Sequence, residues 1–434
     1  MMFNPIQLAI LILGFSLGLG ASAQPYSIPV DSDYPKNVYW GDTHLHTRNS
    51  ADAYSLGNLN LTPADAFRFA RGQELTAHNG MRVQLRRPLD FLVVSDHAEY
   101  LGGFYRFNVD DPLIIGTEAA NRWQRFVEDG EISKVYATFV GSMQEPKKNP
   151  PLPKSARRAI WEDVAITADE HNEPGRFTAF TGYEWTSMIE GNNLHRVVIY
   201  RDGAEKVKQL PPFSAQDSLD PRELWKSLER YEKETGGKVM AIAHNGNLSN
   251  GMMFPSVSVD GKKIDRAYAE LRARWEPIYE VSQVKGDGES HPTLSPDDGF
   301  ADFETWDWDN IGRSAVKEEW MLKHEYARGA LKLGLEYEKS LGVNPFKVGL
   351  IASTDGHNSI STPEEDNFFG KFPESEPSPK RLENILAGRL WQNWRIVASG
   401  YAAVWAQDNT REAIFDAMKR REVYATTGSR IKVR

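Results

Sequence analysis

The stretch YWGDTHLHT, residues 39–47, places two histidines at alternate positions directly after an apolar lead-in. In an extended chain, residues two apart point to the same side, so His44 and His46 are able to bind one metal ion from the end of a strand. Taken alone, such a pair is more often a surface or hydrogen-bonded pair than a metal site. The rest of the sequence therefore has to supply further ligands.

Ligand-type residues recur after other apolar stretches of the chain. Six of the ten histidines belong to this set, and its acids would be costly to bury without a compensating cation. All members follow predicted strand ends, except Asp52, which lies in a predicted loop, and His195, which opens the predicted strand HRVVIY. The predicted metal ligands are His44, His46, Asp52, His97, Glu184, His195, His244, Asp355 and His357. Since the sequence has no cysteine, an ion must be bound by nitrogen and oxygen, which suit zinc, manganese or ferrous iron.

Short, nearly continuous apolar runs of the buried parallel-strand type lead into these residues. FLVV (91–94), VMAIA (239–243) and VGLIAS (348–353) are three of them. Amphipathic stretches with helix signals lie between the runs, such as Thr62-Pro63 ahead of ADAFRFARG and Ser155 ahead of ARRAIWEDVAITADEH. This alternation predicts a parallel sheet with helical crossovers. Reactive groups at the carboxyl ends of strands are the arrangement of (β/α) barrel enzymes.

The composition is that of a globular protein. Of the 434 residues 40% are hydrophobic and 11% aromatic, enough for a large core in one α/β barrel with insertions or in two domains. The formal net charge of −9 argues against a general nucleic-acid binder, because affinity for a phosphate backbone depends on a local excess of Lys and Arg. We therefore expect no nucleic-acid partner, and the oligomeric state is left open.

The N-terminus has the pattern of an export signal. An apolar run from Ile6 to Leu19 precedes Ala21-Ser22-Ala23, an A-x-A cleavage pattern. We predict a signal peptide over residues 1–23 and a periplasmic or secreted mature protein without stable membrane association. The residues before the run include no Lys or Arg, so an uncleaved N-terminal anchor is the alternative, although the run is shorter than the ~20 residues of a full membrane span.

Several ordered motifs resemble one known superfamily. DTHLHT, SDH, a glutamate after a strand, AHNG and STDGHN follow one another along the chain. In this order they resemble the PHP (polymerase and histidinol phosphatase) superfamily of metal-dependent hydrolases. VYWGDTHLHT, RPLDFLVVSDHAEYLG and REVYATTG are similar to a large, secreted and poorly characterised bacterial branch of it. The resemblance runs from about residue 37 to the C-terminus.

The resemblance implies a fold and a ligand set. The fold is an α/β, distorted (β/α)7 TIM-like barrel as a single domain over residues 24–434, with helical and loop insertions around 100–175 and 286–345. The centre would contain two or three divalent ions. The first would be bound by His44, His46, Glu184 and Asp355, the second by Glu184 as a bridge with His195 and His244, and the third by Asp52, His97 and His357. HTRNSADAY replaces the usual HSxxSDG start, so Asp52 departs most from the family pattern.

The implied chemistry is hydrolysis by a hydroxide that bridges two ions about 3.5–4 Å apart, while the ions polarise the bond under attack. We expect a phosphoesterase with a small phosphomonoester or phosphodiester substrate. A hydrolase of carbon–nitrogen or carboxylic ester bonds is the alternative, because pocket shape decides between these electrophiles and fold does not. A non-catalytic metal-binding or scaffold protein is the third possibility, and the complete ligand set weighs against it.

Five further residues are candidates for catalysis or substrate binding. Asp96, next to a predicted ligand, would orient an imidazole or protonate the leaving group, with a strand-end cap as the alternative. Lys285, near another strand end, would neutralise a phosphoryl oxygen, with a solvated loop lysine as the alternative. Arg196, Glu280 and His291 are predicted to bind substrate from their positions beside a ligand or around that strand end.

Overall fold

Strands and helices alternate along the chain, as the apolar runs predict. In the computed structural model, the described residues are 34–382, 385–386 and 391–434. Residues Pro35–Arg434 form one compact unit. The predicted signal peptide, residues 1–23, lies outside the described residues.

Ten strands pair into one sheet. They are β1 (Asn37–Leu45), β2 (Phe91–Val94), β3 (Thr178–Trp185), β4 (Arg196–Tyr200), β5 (Val239–His244), β6 (Ile278–Gln283), β7 (Gly286–Asp287), β8 (Gly349–Ala352), β9 (Tyr401–Ala406) and β10 (Val423–Thr426). Their order is β7-β6-β5-β4-β3-β2-β1-β9-β10, with β8 paired to β6. Among the described residues, three two-stranded ribbons lie outside this sheet: Leu75–Thr76 with Arg82–Val83, Met188–Ile189 with Asn192–Asn193, and Ile385–Leu386 with Trp391–Gln392.

The sheet is mixed, which differs from the parallel sheet that the sequence predicts. Parallel pairs join β1 to β2, β2 to β3, β5 to β6 and β6 to β8. By contrast, β4 is antiparallel to both β3 and β5, and β9 is antiparallel to both β1 and β10. The β3–β4 connection, residues 186–195, is shorter than the crossover of about a dozen residues that a parallel pair needs. The curled sheet gives a barrel-like α/β fold, and the count of seven β/α units stays a prediction.

The described part of the chain contains twelve α-helices. They are α1 (Ala51–Ser55), α2 (Pro63–Ala70), α3 (Gly103–Asn108), α4 (Glu118–Glu128), α5 (Ser133–Gln144), α6 (Lys154–Glu170), α7 (Ala204–Val207), α8 (Pro221–Thr235), α9 (Arg266–Trp275), α10 (Glu319–Leu322), α11 (Ala327–Leu341) and α12 (Arg411–Lys419). Short 3₁₀ turns occupy Pro146–Lys148, Gly246–Leu248, Glu365–Asn367, Pro373–Ser375 and Asn393–Arg395. None of the described helices is long and apolar enough to cross a membrane.

One of the two predicted helix signals acts where it is expected, and Ser155 does not cap its helix. Thr62 caps α2 through a capping box with Asp65, and Pro63 is its first residue, where a missing N–H is harmless. Helix α6 begins at Lys154, one residue before the predicted signal Ser155. The predicted insertion around residues 100–175 contains the four helices α3 to α6 between β2 and β3.

Two apolar layers hold the sheet in place. One contains inward side chains of the strands, such as Phe91, Val197 and Ile242, and is closed by Phe415 of α12. The other lies between the sheet and the surrounding helices and includes Trp185. Alternate residues of one strand point to opposite layers, so neighbours in sequence have different environments.

Candidate metal centre

The predicted ligands meet at one end of the sheet. Asp355, which follows β8, donates its backbone N–H to the His44 carbonyl at 2.8 Å, and His46 donates to the Gly356 carbonyl at 2.8 Å. Asp355 has a φ of +52°, in the left-handed region that aspartate tolerates better than most residues. These bonds fix the loop after β8 against the end of β1, so acids and histidines from distant segments come together.

His44, His46, Glu184 and Asp355 form the first group of ligand-type atoms. The Nε2 atoms of His44 and His46 lie 3.1 Å apart, and Glu184 Oε2 lies 3.3 Å from the first and 3.2 Å from the second. Asp355 Oδ1 lies 3.4 Å from both Nε2 atoms. Two ligand atoms about 2.0–2.2 Å from one ion lie roughly 3–3.5 Å apart. These distances therefore fit four ligands around one divalent ion.

The two carboxylate oxygens of Asp355 have different surroundings. Oδ2 accepts a hydrogen bond from Gln283 at 2.8 Å and another from the Lys285 ammonium group, while Lys371 Nζ lies 2.8 Å away. Oδ1 is buried and accepts no hydrogen bond from the described residues. A buried carboxylate oxygen without a partner is costly, and a cation beside His44 and His46 would satisfy it. The residues present therefore fit a metal ion.

Glu184 also faces a second group of atoms. Its Oε1 lies 2.8 Å from His195 Nδ1 and 3.1 Å from His244 Nε2. The other ring nitrogens, His195 Nε2 and His244 Nδ1, have no hydrogen-bond partner among the described residues. Because Oε1 faces these rings and Oε2 faces the first group, the geometry allows Glu184 to bridge two ions.

Asp52, in the first turn of α1, is the centre of a third group. Its Oδ2 lies 3.2 Å from His97 Nε2 and 2.9 Å from His357 Nε2. One ligand atom from each of these residues and one from His46 all lie within 4.8 Å of one another. The third group therefore shares His46 with the first, and all nine predicted ligands are brought together.

Polar groups behind the cluster fix the orientation of its imidazoles. Nδ1 of His44 lies 3.2 Å from both carboxylate oxygens of Glu280. Nδ1 of His46 lies 2.8 Å from Ser50 Oγ, and Nδ1 of His97 lies 2.6 Å from Thr186 Oγ1. Histidine ligands commonly donate through their second nitrogen to such groups, which sets the tautomer and the ring orientation. Glu280, which was predicted to bind substrate, therefore lies behind His44 and positions its ring.

Burial makes several of these rings neutral. It lowers the pKa of His46 to about 4, that of His195 to about 3 and that of His244 to about 4. Burial also lowers the pKa of His357 well below its ordinary value. A neutral imidazole keeps the lone pair that a metal ion needs. These four histidines are therefore in the protonation state of a ligand.

Carboxylates shift the pKa of the other two histidines in the opposite direction. Burial lowers the pKa of His44, but Glu280 and Glu184 outweigh it and raise the pKa to about 9. Burial likewise lowers the pKa of His97, and Glu184 and Asp52 raise it to about 9. Burial raises the pKa of Glu184, but the neighbouring histidines hold it well below its ordinary value. Glu184 is therefore ionised, and its negative charge favours a cation at this place.

Lys371 belongs to the centre, although no sequence pattern marks it. Its Nζ donates to the Asp355 carbonyl at 2.9 Å and lies 3.1 Å from His357 Nδ1. Lys371 and Lys285 are only 5% and 9% exposed, and burial lowers the pKa of Lys371 to about 7 and that of Lys285 well below its ordinary value. The apolar flanks of Lys371 in the loop FFGKFP are the one hint in the sequence that this lysine is buried.

The sequence matches a family model but no curated protein. A family model described as "Protein of unknown function (DUF3604)" matches residues 33–434. The chain belongs to this family. No curated protein matches the sequence.

One of the solved structures that match the DUF3604 chain comes from Bacteroides vulgatus, and it is a two-domain protein containing a predicted PHP-like metal-dependent phosphoesterase. Its sequence identity to this chain is 11% and its TM-score is 0.34. The match covers 92% of this chain and 67% of the other.

The metal-ligand cluster of this DUF3604 protein borders a cavity of about 230 Å³. The polar side of the cavity is formed by Asp52, His97, Glu184, His195, Lys285, Asp355, His357 and Lys371. The rest of the lining is mainly apolar and includes residues of α5. A small molecule in this cavity would therefore contact candidate ligands and two buried lysines at once.

Arg196 does not reach this cavity. Its Nε donates to Glu276 at 2.9 Å and its guanidinium lies over the Trp185 ring, in the layer between sheet and helices. His195 and Arg196 are adjacent in an extended segment, so their side chains point to opposite faces of the sheet. The prediction that Arg196 binds substrate is therefore corrected: it has a structural partner in Glu276.

Asp96 and His291 also have partners outside the cavity. The two oxygens of Asp96 accept hydrogen bonds from the backbone N–H of Thr47 at 2.6 Å and from its hydroxyl at 2.8 Å, which is the strand-end cap alternative. His291 Nε2 lies 2.9 Å from Asp307 Oδ2, and its Nδ1 accepts from the Thr293 N–H at 3.1 Å. The structure therefore gives neither side chain a place beside the cavity.

Proposed function

We propose that the protein is a metal-dependent phosphoesterase that hydrolyses small phosphomonoesters or phosphodiesters. The observation that carries the proposal is the pair of buried lysines, Lys285 and Lys371, beside a cluster of nine ligand-type residues on one cavity. The cluster supports metal dependence. The lysines support an anionic substrate.

The ligand groups support two or three divalent ions of zinc, manganese or iron. The first ion would be held by His44, His46, Glu184 and Asp355, the second by Glu184, His195 and His244, and the third by Asp52, His97 and His357. Divalent ions in such sites activate water at neutral pH and polarise the ester. The ligands are histidine and carboxylate, which bind all three metals, so the metal is to be identified by analysis.

The lysines would bind the phosphoryl group. Both ammonium groups contact Asp355 Oδ2, and both side chains border the cavity. An ammonium held in place in a water-poor site stabilises negative charge that develops on a phosphoryl oxygen. Lys285 and Lys371 share one carboxylate oxygen, Asp355 Oδ2, so an anionic phosphoryl group would give them the second partner that a neutral carboxylic ester or amide does not, and the cavity favours phosphorus over carbon as the electrophile.

The residues around the cluster would hold this arrangement rigid. Glu280 and Thr186 fix the His44 and His97 rings through their Nδ1 atoms, and Asp96 fixes the backbone after His46. Preorganised groups need not reorient when charge develops, which is a large part of catalysis by such sites. Glu280, Thr186 and Asp96 are therefore proposed as positioning residues.

The test is a substrate panel on protein whose metal content has been measured. We expect hydrolysis of p-nitrophenyl phosphate or bis(p-nitrophenyl) phosphate that is lost with a chelator and restored by a divalent ion. Hydrolysis of p-nitrophenyl carboxylic esters or of amides alone would contradict the phosphoesterase proposal. Bound metal without any hydrolysis across the panel would favour a non-catalytic metal-binding protein.

Export and the seven-unit barrel are also part of the proposal. We propose that residues 1–23 are removed after Ala23, so that the mature protein begins at Gln24 in the periplasm or outside the cell. N-terminal sequencing of protein from cell fractions tests this, and an intact Met1 in a membrane fraction would contradict it. The seven β/α units rest on the superfamily resemblance of the motifs.

A further inference from the structure

The cavity has two chemically different sides. Candidate ligands and both lysines form the polar part of its lining, and the rest is formed mainly by apolar side chains, among them Phe139, Met143, Phe372 and Ile396. Gln144 is a polar residue on the apolar side. The phosphoryl site described above accounts for the polar side only. The apolar side therefore needs its own explanation.

One helix supplies more of this apolar lining than any other element. Tyr136, Phe139, Val140 and Met143 of α5 all border the cavity, and their spacing of three, one and three residues places them on one face of the helix. Helix α5 belongs to the insertion between β2 and β3. Its opposite face is fixed to α4, because the Trp123 indole donates to the Thr138 hydroxyl at 2.9 Å. The insertion thus holds an apolar stripe against the cavity.

The apolar side begins directly beside the candidate ligands. The Phe139 ring centre lies 5.2 Å from that of His97, and the Phe372 ring centre lies 4.9 Å from that of His357. Apolar surface therefore lies next to the place where Lys285 and Lys371 would hold a phosphoryl group. The alcohol part of the ester would lie against α5.

An apolar alcohol fits this surface better than a polar one. Each CH₂ group that leaves water for such a wall favours binding, whereas a buried hydroxyl without a partner disfavours it. A sugar or glycerol part would have several hydroxyls facing Phe139, Val140 and Met143. The volume of about 230 Å³ also limits the occupant to a compact group.

We propose that the substrate is a phosphate ester of a small apolar alcohol, a short alkyl or single-ring group, with its hydrocarbon part on the α5 stripe. This inference rests on the proposed phosphoesterase function and names its substrate class. Hydrolysis consumes one water: its oxygen bonds to phosphorus, the bond from phosphorus to the ester oxygen breaks, and one proton of the water ends on the alcohol.

A matched pair of substrates tests the proposal on the metal-containing protein. The n-pentyl ester of phosphate and glycerol 3-phosphate are both alkyl phosphates of similar size, and they differ in hydroxyl groups. We expect kcat/KM to be at least about tenfold higher for n-pentyl phosphate, as burial of two or more CH₂ groups would give. An equal or reversed preference would overturn the inference and leave the phosphoesterase function intact.

A binding experiment separates the two proposals further. We expect n-pentylphosphonate, which is not hydrolysed, to bind at least about tenfold more tightly than methylphosphonate in calorimetry, with a negative heat-capacity change. Equal affinities would overturn the apolar subsite whatever the turnover. Tight binding of n-pentylphosphonate without hydrolysis of any phosphate ester would keep the subsite and contradict the phosphoesterase function.

Variants of α5 test whether its apolar stripe causes the preference for n-pentyl phosphate over glycerol 3-phosphate. Val140→Thr changes shape little and places a hydroxyl on the stripe, and Phe139→Ala removes the ring beside His97. We expect both to lower kcat/KM for n-pentyl phosphate severalfold more than for glycerol 3-phosphate. Val127→Thr, at a 42% exposed position of α4, is the matched control and should leave the ratio of the two substrates unchanged. An unchanged ratio in both stripe variants would overturn the assignment to α5.

Discussion

Both carboxylate oxygens of Glu280 lie 3.2 Å from Nδ1 of His44, on the side of the ring opposite the candidate metal position. This contact holds the His44 ring in one orientation and leaves Nε2 directed at His46, Glu184 and Asp355. Groups behind a ligand contribute strongly to metal affinity although they do not touch the ion.

The first prediction follows from this contact. Glu280→Gln should lower metal affinity by roughly 10–100-fold, because the neutral amide supports the His44 ring less well. Competition with a chelator of known affinity measures the change. Glu229→Gln, at a side chain that is 52% exposed, is the control and should bind metal as the wild type does. Unchanged affinity in Glu280→Gln would show that the contact has no role in metal binding.

The second prediction concerns the buried lysines. Lys371→Ala should lower turnover of a phosphate ester by roughly ten- to a thousand-fold, as loss of one charge-stabilising donor does in other sites. Lys285→Ala should have an effect of the same kind. Metal content has to be measured in each variant, because both lysines contact Asp355. Exposed Lys332→Ala is the control. Unchanged turnover in both variants with metal bound would contradict the role of the lysines.

The third prediction separates a structural role of Arg196 from substrate binding. Burial raises the pKa of Glu276, but Arg196 and Arg272 outweigh it and hold the pKa below its ordinary value of 4.5. Glu276→Gln leaves both guanidinium groups buried without a charged partner, which should lower the free energy of unfolding by about 3–5 kcal/mol at pH 7.

The pH dependence of this effect has a definite sign. A carboxyl with a lowered pKa in the folded state contributes stability above pH 4.5, and the contribution is lost as the pH falls through the folded-state pKa. The difference between wild type and Glu276→Gln should therefore shrink below pH 4.5. Denaturant unfolding at pH 7 and pH 4 measures it, with exposed Glu336→Gln as control. An equal difference at both pH values would contradict the assignment.

The ligand set could be predicted from sequence because its members have a local signal. Each strand of the type FLVV or VMAIA ends in a ligand-type residue, and parallel strands bring such ends together. The sequence does not predict that β4 is antiparallel to its neighbours, since periodicity does not give strand direction. Strand periodicity places Arg196 on the face opposite His195, and this signal argues against a substrate-binding role for Arg196.

Other features of the site have no local signal. Lys371 lies in a loop that a backbone hydrogen bond between residues 357 and 371 brings beside Asp355. The stripe of α5 has the spacing of any helix that faces a core, and sequence alone does not say that this core includes a cavity beside His97. Tertiary packing decides both.

The most direct test of the whole account is elemental analysis of carefully purified protein together with two variants. Nine ligand-type residues in three groups predict at least two divalent ions per chain. His44→Ala and Asp355→Ala should lose metal and activity together, while His171→Ala, outside the cluster, should keep both. Less than one ion per chain in the wild type, or unchanged metal content in both cluster variants, would contradict the account.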